Sequence, residues 1–270
     1  MPTIDVSGKS VSFREEGEGF PAVLMLHGAG GSSIHFSSML HLMGQHGRRV
    51  VALDLPGHGS SAPLEPPPSP TDLLEAYRDL VAEFAERAGL GRFVLVGHSM
   101  GGAIAQLLAL ACPDRLESLV LIATAARLKV APAVLEAIRH HFDRLPTLLA
   151  AVGYSPATDR ARAARWAHDQ IQAAQDVVLA DFLACARFDL RQQVASIACP
   201  TWILSGADDL LTPPKLQEQL HQLIAGAQLR VLSRAGHFLL MERPDPAARC
   251  VLEAAGLPPG QPDEELSPEV

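Results

Sequence analysis

Six short runs rich in Val, Leu and Ile recur along the chain, at 22–27, 49–54, 92–97, 118–123, 201–205 and 228–232, with longer helix-patterned stretches between them. Each run is continuously apolar rather than alternating, which is the pattern of a strand covered on both faces. Strands of this kind alternating with helices imply an α/β fold, a mostly parallel central sheet flanked by helices. A chain of 270 residues, 48% of them hydrophobic, can bury the core that such a sheet needs in one domain with an insertion. A hairpin is expected ahead of these strands, with 3–6 and 10–14 flanking Ser7-Gly8-Lys9, where glycine takes the turn.

The helical stretches are not evenly spread. Pro63 to Pro70 is too proline-rich for a helix or an inner strand, so it reads as a loop. It ends in a helix-start signal: Ser69 can cap, Pro70 suits the first helical position, and Asp72 favours the positive end of the helix dipole. Leu73, Leu74, Tyr77, Leu80, Val81 and Phe84 follow at helical spacing. Between 127 and 197 the strand signal disappears and helical patterns at 134–142, 161–174 and 177–184 replace it. That stretch is expected to be an inserted helical cap, dividing the core into 1–126 and 198–256. The proline- and acid-rich segment 257–270 is expected to be a disordered tail.

Chemistry enters at Gly97-His98-Ser99-Met100-Gly101-Gly102, between the apolar run Phe93-Val94-Leu95-Val96 and a helix-like stretch. Strand, sharp turn and helix are the context of a nucleophile elbow. A serine on so tight a turn crowds the chain on either side, so the positions two before and two after must be very small, and here both are glycine. The elbow exposes the Ser99 hydroxyl and aims the first amides of the following helix at the same point. An acid and then a histidine follow in the order this arrangement requires. Strand 201–205 runs into Gly206-Ala207-Asp208-Asp209, so carboxylates stand at the carboxyl end of a parallel strand, where sites collect. Strand 228–232 leads into Ser233-Arg234-Ala235-Gly236-His237, which puts an imidazole on the next such loop. Upstream, His27-Gly28-Ala29-Gly30-Gly31 follows the first core strand. Its small residues let the backbone approach a substrate oxygen, with the N–H groups of Ala29 and Met100 as an oxyanion hole.

Taken together, these motifs resemble the α/β-hydrolase superfamily, in its branch of small capped esterases and lactonases. The marks are the His27 to Ser33 stretch, Asp54-Leu55-Pro56-Gly57-His58-Gly59-Ser60-Ser61, the Ser99 elbow, Gly206 to Asp209 with Pro213, and Gly236-His237 with Glu242 and Pro244. They span nearly the whole chain outside the expected cap. In similar proteins the acid stands three residues after the strand-ending glycine, which the resemblance places at Asp209 rather than Asp208. It also implies a cap between the sixth and seventh core strands. Haloalkane dehalogenases of this superfamily carry an aspartate nucleophile, which Ser99 excludes here, and the remaining motif histidines His27, His58 and His98 read as structural groups.

The expected activity is hydrolysis of a small-molecule carboxylic ester through an acyl-Ser99 intermediate, with His237 as general base, Asp209 fixing its tautomer, and no cofactor. Lactone hydrolysis, carbon–carbon bond hydrolysis or cofactor-free perhydrolysis could run on the same residues, and a ligand-binding protein that keeps the pocket without turnover is the reading from another class. No metal site is expected, since there is no HExxH, and His140-His141 would point in different directions on a helix. A net charge of −8 with no Lys/Arg-rich block argues against nucleic acid and anionic membrane surfaces as partners. Met1 to Val6 carries no basic and apolar leader pattern, and no apolar run approaches the length of about 20 residues of a membrane helix. The expectation is a cytoplasmic protein, with the four widely spaced cysteines reduced core residues.

Overall fold

The computed structural model describes residues 1–258 and 266–267. Its strands are β1 (Thr3–Val6), β2 (Lys9–Glu16), β3 (Ala22–Leu26), β4 (Val50–Leu53), β5 (Phe93–His98), β6 (Leu116–Ile122), β7 (Thr201–Gly206), β8 (Gln228–Leu232) and β9 (Leu266–Ser267). They form one sheet in the order β1-β2-β4-β3-β5-β6-β7-β8-β9. The six strands from β4 to β8 in that order are parallel, and β1, β2 and β9 run antiparallel at the margins. The opening hairpin turns on Ser7 and Gly8, both at positive φ, and Lys9 already pairs with Val6, so the turn is one residue shorter than the sequence suggests.

Continuous apolar strands follow from the two-sided burial. In β3, Ala22, Leu24 and Leu26 face one apolar cluster while Val23 and Met25 face the other, and β5 divides in the same way. The helices covering the first face are α2 (Leu73–Arg87), α3 (Met100–Ala111) and α8 (Pro214–Leu223); α1 (Ser37–Gly44), α9 (Leu239–Glu242) and α10 (Pro244–Ala254) cover the second. Helix α2 begins at Leu73, three residues later than the proline at position 70 suggests. Ser69 donates its hydroxyl to the Asp72 carboxylate and closes a turn before the helix rather than capping it.

Between β6 and β7 the chain leaves the sheet and forms α4 (Pro132–His140), α5 (Leu145–Val152), α6 (Arg160–Asp169) and α7 (Gln175–Arg187). Helix α5 has no counterpart among the sequence patterns, because Pro146 in its first turn reads as a breaker although proline is tolerated there. These helices share their own small apolar cluster, joined from the core side by Phe238. Within the expected tail, Leu266 and Ser267 pair with Leu232 and Val231, completing hydrogen bonds that the edge of β8 would otherwise leave open; residues 259–265 and 268–270 lie outside the described residues. All four cysteines are free, Cys185 and Cys250 buried and Cys112 and Cys199 only partly so. Among the described residues no helix is long and apolar enough to cross a membrane.

Sheet order places the site. From β3 the chain steps to β4 on one side and then returns to β5 on the other, so the order reverses between β3 and β5. The loops leaving their carboxyl ends diverge at that point and open a crevice between them.

Candidate active site

Ser99 sits at that crevice, between β5 and α3, with φ 54 and ψ −116. Few non-glycine residues adopt this backbone, which persists only where surrounding structure enforces it. The enforcement is visible around it. The Ser99 N–H extends the strand ladder to Ile122 O at 2.9 Å, and Ser99 O accepts from Gly102 and Ala103 N–H and from the Thr124 hydroxyl. A Cβ on Gly97 would stand 2.3 Å from Gly101 O, and one on Gly101 would stand 2.2 Å from Leu26 O. Both contacts are backbone and cannot swing aside. Ser99 is half-buried while Phe93 to His98 and Met100 are all buried, so the turn lifts this one residue towards the cavity.

Asp209, three residues beyond the start of the turn after β7, is buried and fully engaged. Its Oδ1 accepts from Leu211 and Thr212 N–H, both at 2.8 Å, and its Oδ2 accepts from the Thr212 hydroxyl at 2.7 Å and lies 3.0 Å from His237 Nδ1. Burial alone would raise this carboxyl; the charge and hydrogen bond of His237, with the Thr212 donors, outweigh it and hold the group below the usual carboxylate range. Asp208 turns away: its Oδ2 accepts the Ser155 hydroxyl at 2.5 Å, outside the crevice.

His237 is steadied from three sides. Beyond Asp209, its backbone carbonyl lies 2.9 Å from His98 Nε2, and Gly236 N–H just before it donates to Glu242 at 2.6 Å. Glu242 also accepts from Ser155 N–H and the Thr158 hydroxyl, on the loop between α5 and α6. His98 is neutral at ordinary pH, since burial and the neighbouring His237 push its pKa down to about 3. Ser99 and His237 line one cavity of about 470 Å³, together with Gly28, Ala29 and apolar side chains such as Val134, Val152, Ile171 and Phe182. Cys185 also lines it, but burial pushes its thiol upward, away from thiolate chemistry.

On the loop after β3, Gly31 N–H donates back to Gly28 O and Gly30 N–H to Asp181, whereas Ala29 N–H finds no acceptor among the described residues. The same holds for Met100 N–H, the first amide of α3. Two unused donors thus stand on the two loops that flank the crevice. No cluster of three or more His, Cys, Asp or Glu that could hold a metal occurs among the described residues.

A serine on a strained strand-to-helix turn, followed along the chain by an acid and then a histidine, is the order of an α/β-hydrolase, and the model of the alpha/beta hydrolase family matches residues 23–249. The chain belongs to that family. A sn-1-specific diacylglycerol lipase of Mus musculus is 29% identical to this hydrolase over 249 residues, covering 83% of this chain and 77% of its own. A pimeloyl-[acyl-carrier protein] methyl ester esterase of Nitrosomonas europaea is 24% identical over 257 residues, covering 89% of this chain and 98% of its own. Among solved structures, a thermophilic esterase from Thermogutta terrifontis superposes with a TM-score of 0.81 at 25% identity, covering 94% of this hydrolase and 97% of that chain.

Several groups around the site escaped the sequence reading. Thr212 stands three residues after Asp209, the spacing at which a carboxylate meets a downstream amide and hydroxyl, and that local signal could have flagged it. Asp181 could have been flagged too, as an acid at helical spacing with Val178 and Cys185 on the buried side of α7. His27 and His58, read as structural, are fully buried: His27 Nε2 accepts Leu55 N–H at 3.0 Å, and His58 Nε2 lies 2.8 Å from Asp181 Oδ2.

Proposed function

We propose that this hydrolase cleaves carboxylic esters with apolar chains, using Ser99 as nucleophile, His237 as general base and Asp209 to orient the histidine. One observation carries the reading: a serine forced into a strained elbow shares an apolar cavity with an imidazole whose other nitrogen lies 3.0 Å from a buried carboxylate. His237 takes the Ser99 proton through Nε2, the nitrogen turned away from Asp209, and the Ser99 oxygen attacks the ester carbonyl. The carbonyl oxygen, now an anion, settles on the N–H groups of Ala29 and Met100. His237 returns the proton to the departing alcohol, and water activated by the same imidazole then releases the acid and restores Ser99. The inserted segment 127–197 serves as the cap, supplying Val134, Val152, Ile171 and Phe182, with Lys129 as its one cation among the described residues, to a cavity wall that is mostly apolar and so favours apolar chains. Relatives named as a lipase and as esterases support ester bonds as the target.

In purified protein, Ser99→Ala is expected to abolish turnover of a p-nitrophenyl ester and leave the thermal transition in place, while a fluorophosphonate labels Ser99 in the parent. Labelling at a different serine, or parent-level turnover in Ser99→Ala, overturns the assignment.

A further inference from the structure

Asp181 is a fully buried carboxylate on α7, far from Ser99 in sequence, and it plays no part in the chemistry above. Its Oδ2 accepts Gly30 N–H at 2.9 Å and lies 2.8 Å from His58 Nε2, while its Oδ1 accepts the Tyr77 hydroxyl at 3.2 Å. Gly30 follows Ala29 directly. The other side of Gly30 is also held from the inserted segment, since Gly30 O accepts Gln172 N–H at 2.8 Å, and Gln172 O in turn accepts Gly59 N–H at 2.9 Å. The chain at 170–173 therefore runs between the loop after β3 and the loop carrying His58, with Ala173 bridged to His58. Gly30 has φ +67, and a Cβ there would come within 3.1 Å of Val178 on α7, so the loop and the helix are pressed together at this point.

A carboxylate buried this deeply needs charge compensation. His58 supplies it: burial disfavours its protonation, but Asp181 beside it and the Pro56 carbonyl outweigh that and raise its pKa. The pair is then anchored to the core loop at 54–61, where Asp54 accepts from Ser33 and Ser60 N–H.

We propose that Asp181 is a positioning residue for the oxyanion hole, tying the seating of the cap helix α7 to the aim of the Ala29 N–H. The idea rests on the ester-hydrolase reading, in which Ala29 N–H receives the anionic oxygen. Asp181 fixes the Ala29–Gly30 peptide, and with it the backbone angle that sets the neighbouring amide. With the cap displaced, Gly30 loses both Asp181 on α7 and Gln172 in the segment leading into it, and the donor is no longer held in line. The oxyanion hole is then complete only when the cap is in place, which links substrate enclosure to transition-state stabilisation.

The test uses the whole protein with a p-nitrophenyl ester and a trifluoromethyl ketone, which forms a Ser99 adduct that needs the same donors. Asp181→Asn is expected to lower kcat by about 10- to 100-fold, with KM changed less than about threefold, because a misaimed donor weakens only the charged state. Ketone affinity should fall in parallel with kcat. A purely structural role for Asp181 would lower Tm and move KM instead. Should Asp181→Asn fail to fold, His58→Gln decides: it keeps a donor to Asp181 without the charge, and kcat should fall about 3- to 10-fold at unchanged KM. A folded Asp181→Asn with parent kcat and parent ketone affinity overturns the proposal, as does a folded His58→Gln with parent kcat where Asp181→Asn does not fold. A parent protein that neither turns over esters nor is labelled at Ser99 overturns the ester-hydrolase reading itself, so the two failures are distinguishable.

Discussion

Asp208 and Asp209 are neighbours with the same side chain, yet the turn after β7 sends one to the Ser155 hydroxyl and the other to His237. The difference comes from Thr212, whose amide and hydroxyl, with Leu211 N–H, hold both Asp209 oxygens. In the proposed mechanism a carboxylate is needed there because it accepts only, which keeps the proton on His237 Nδ1 and leaves Nε2 free to act as base. Asp209→Asn introduces a donor and inverts that preference, so kcat is expected to fall by about 10⁴, the size of the effect in serine proteases. Asp208→Asn should stay within a few-fold of the parent. Steady-state kinetics of the two variants check the assignment, and a larger loss at Asp208 refutes it.

At the scale of the element, the β5–α3 elbow depends on backbone-to-backbone approach. A methyl group on Gly101 would meet Leu26 O at 2.2 Å and His27 O at 2.6 Å, both main-chain atoms leading into the loop that carries Ala29. Gly101→Ala is therefore expected to cost about 1–3 kcal/mol, typical of overpacking, and to shift the loop with it. Tm should fall by roughly 2–10 °C and ester turnover by more than about tenfold. Gly226→Ala makes a control for backbone conformation alone: it also has positive φ, at +73°, but a Cβ there meets nothing within 4 Å. It should cost about 1–2 kcal/mol and leave kcat unchanged. Equal effects on turnover would mean that the close approach at the elbow does not position the site.

For the whole molecule, buried histidines dominate the response to acid. Burial first, with neighbouring histidines adding to it, holds His27 well below the ordinary imidazole range and His98 at about 3; burial also holds His35 at about 4. Below pH 6.5 the unfolded chain takes up protons that the folded protein refuses, so each contributes stability that is lost as pH falls, about 1.4 kcal/mol per pH unit until its folded pKa is reached. His58 has the opposite sign: its raised pKa gives stability that is complete below pH 6.5 and is lost as pH rises through the folded value. Three groups against one predict a stability maximum near neutral pH and a steep loss between pH 6.5 and 4. Thermal melts across that range should show it, and His35→Gln should make the acid limb shallower. An unchanged slope in His35→Gln would mean that His35 titrates alike in both states.

Sequence alone determined the elements whose signals are local. Continuous apolar runs mark the inner strands β3 to β7 because they are buried on two faces, whereas β8, Gln-Leu-Arg-Val-Leu near the sheet margin, is interrupted by polar residues and only partly buried; Gly97 and Gly101 are written into the elbow by the same crowding that the backbone distances display. The residues also supplied Ser99, His237 and a pair of adjacent acids, though periodicity says nothing about which carboxylate faces the imidazole. Only tertiary structure decided what long-range packing controls: the reversal of strand order that sets the loops after β3 and β5 side by side, the two residues Leu266 and Ser267 that pair with the edge of β8, and α5 despite its early proline. The clearest case is the hydrogen bond from Gly30 N–H to Asp181, which joins residues 151 positions apart. Periodicity reports how much of a side chain is buried, whereas a 3 Å hydrogen bond between distant segments depends on how one layer of helices settles onto another.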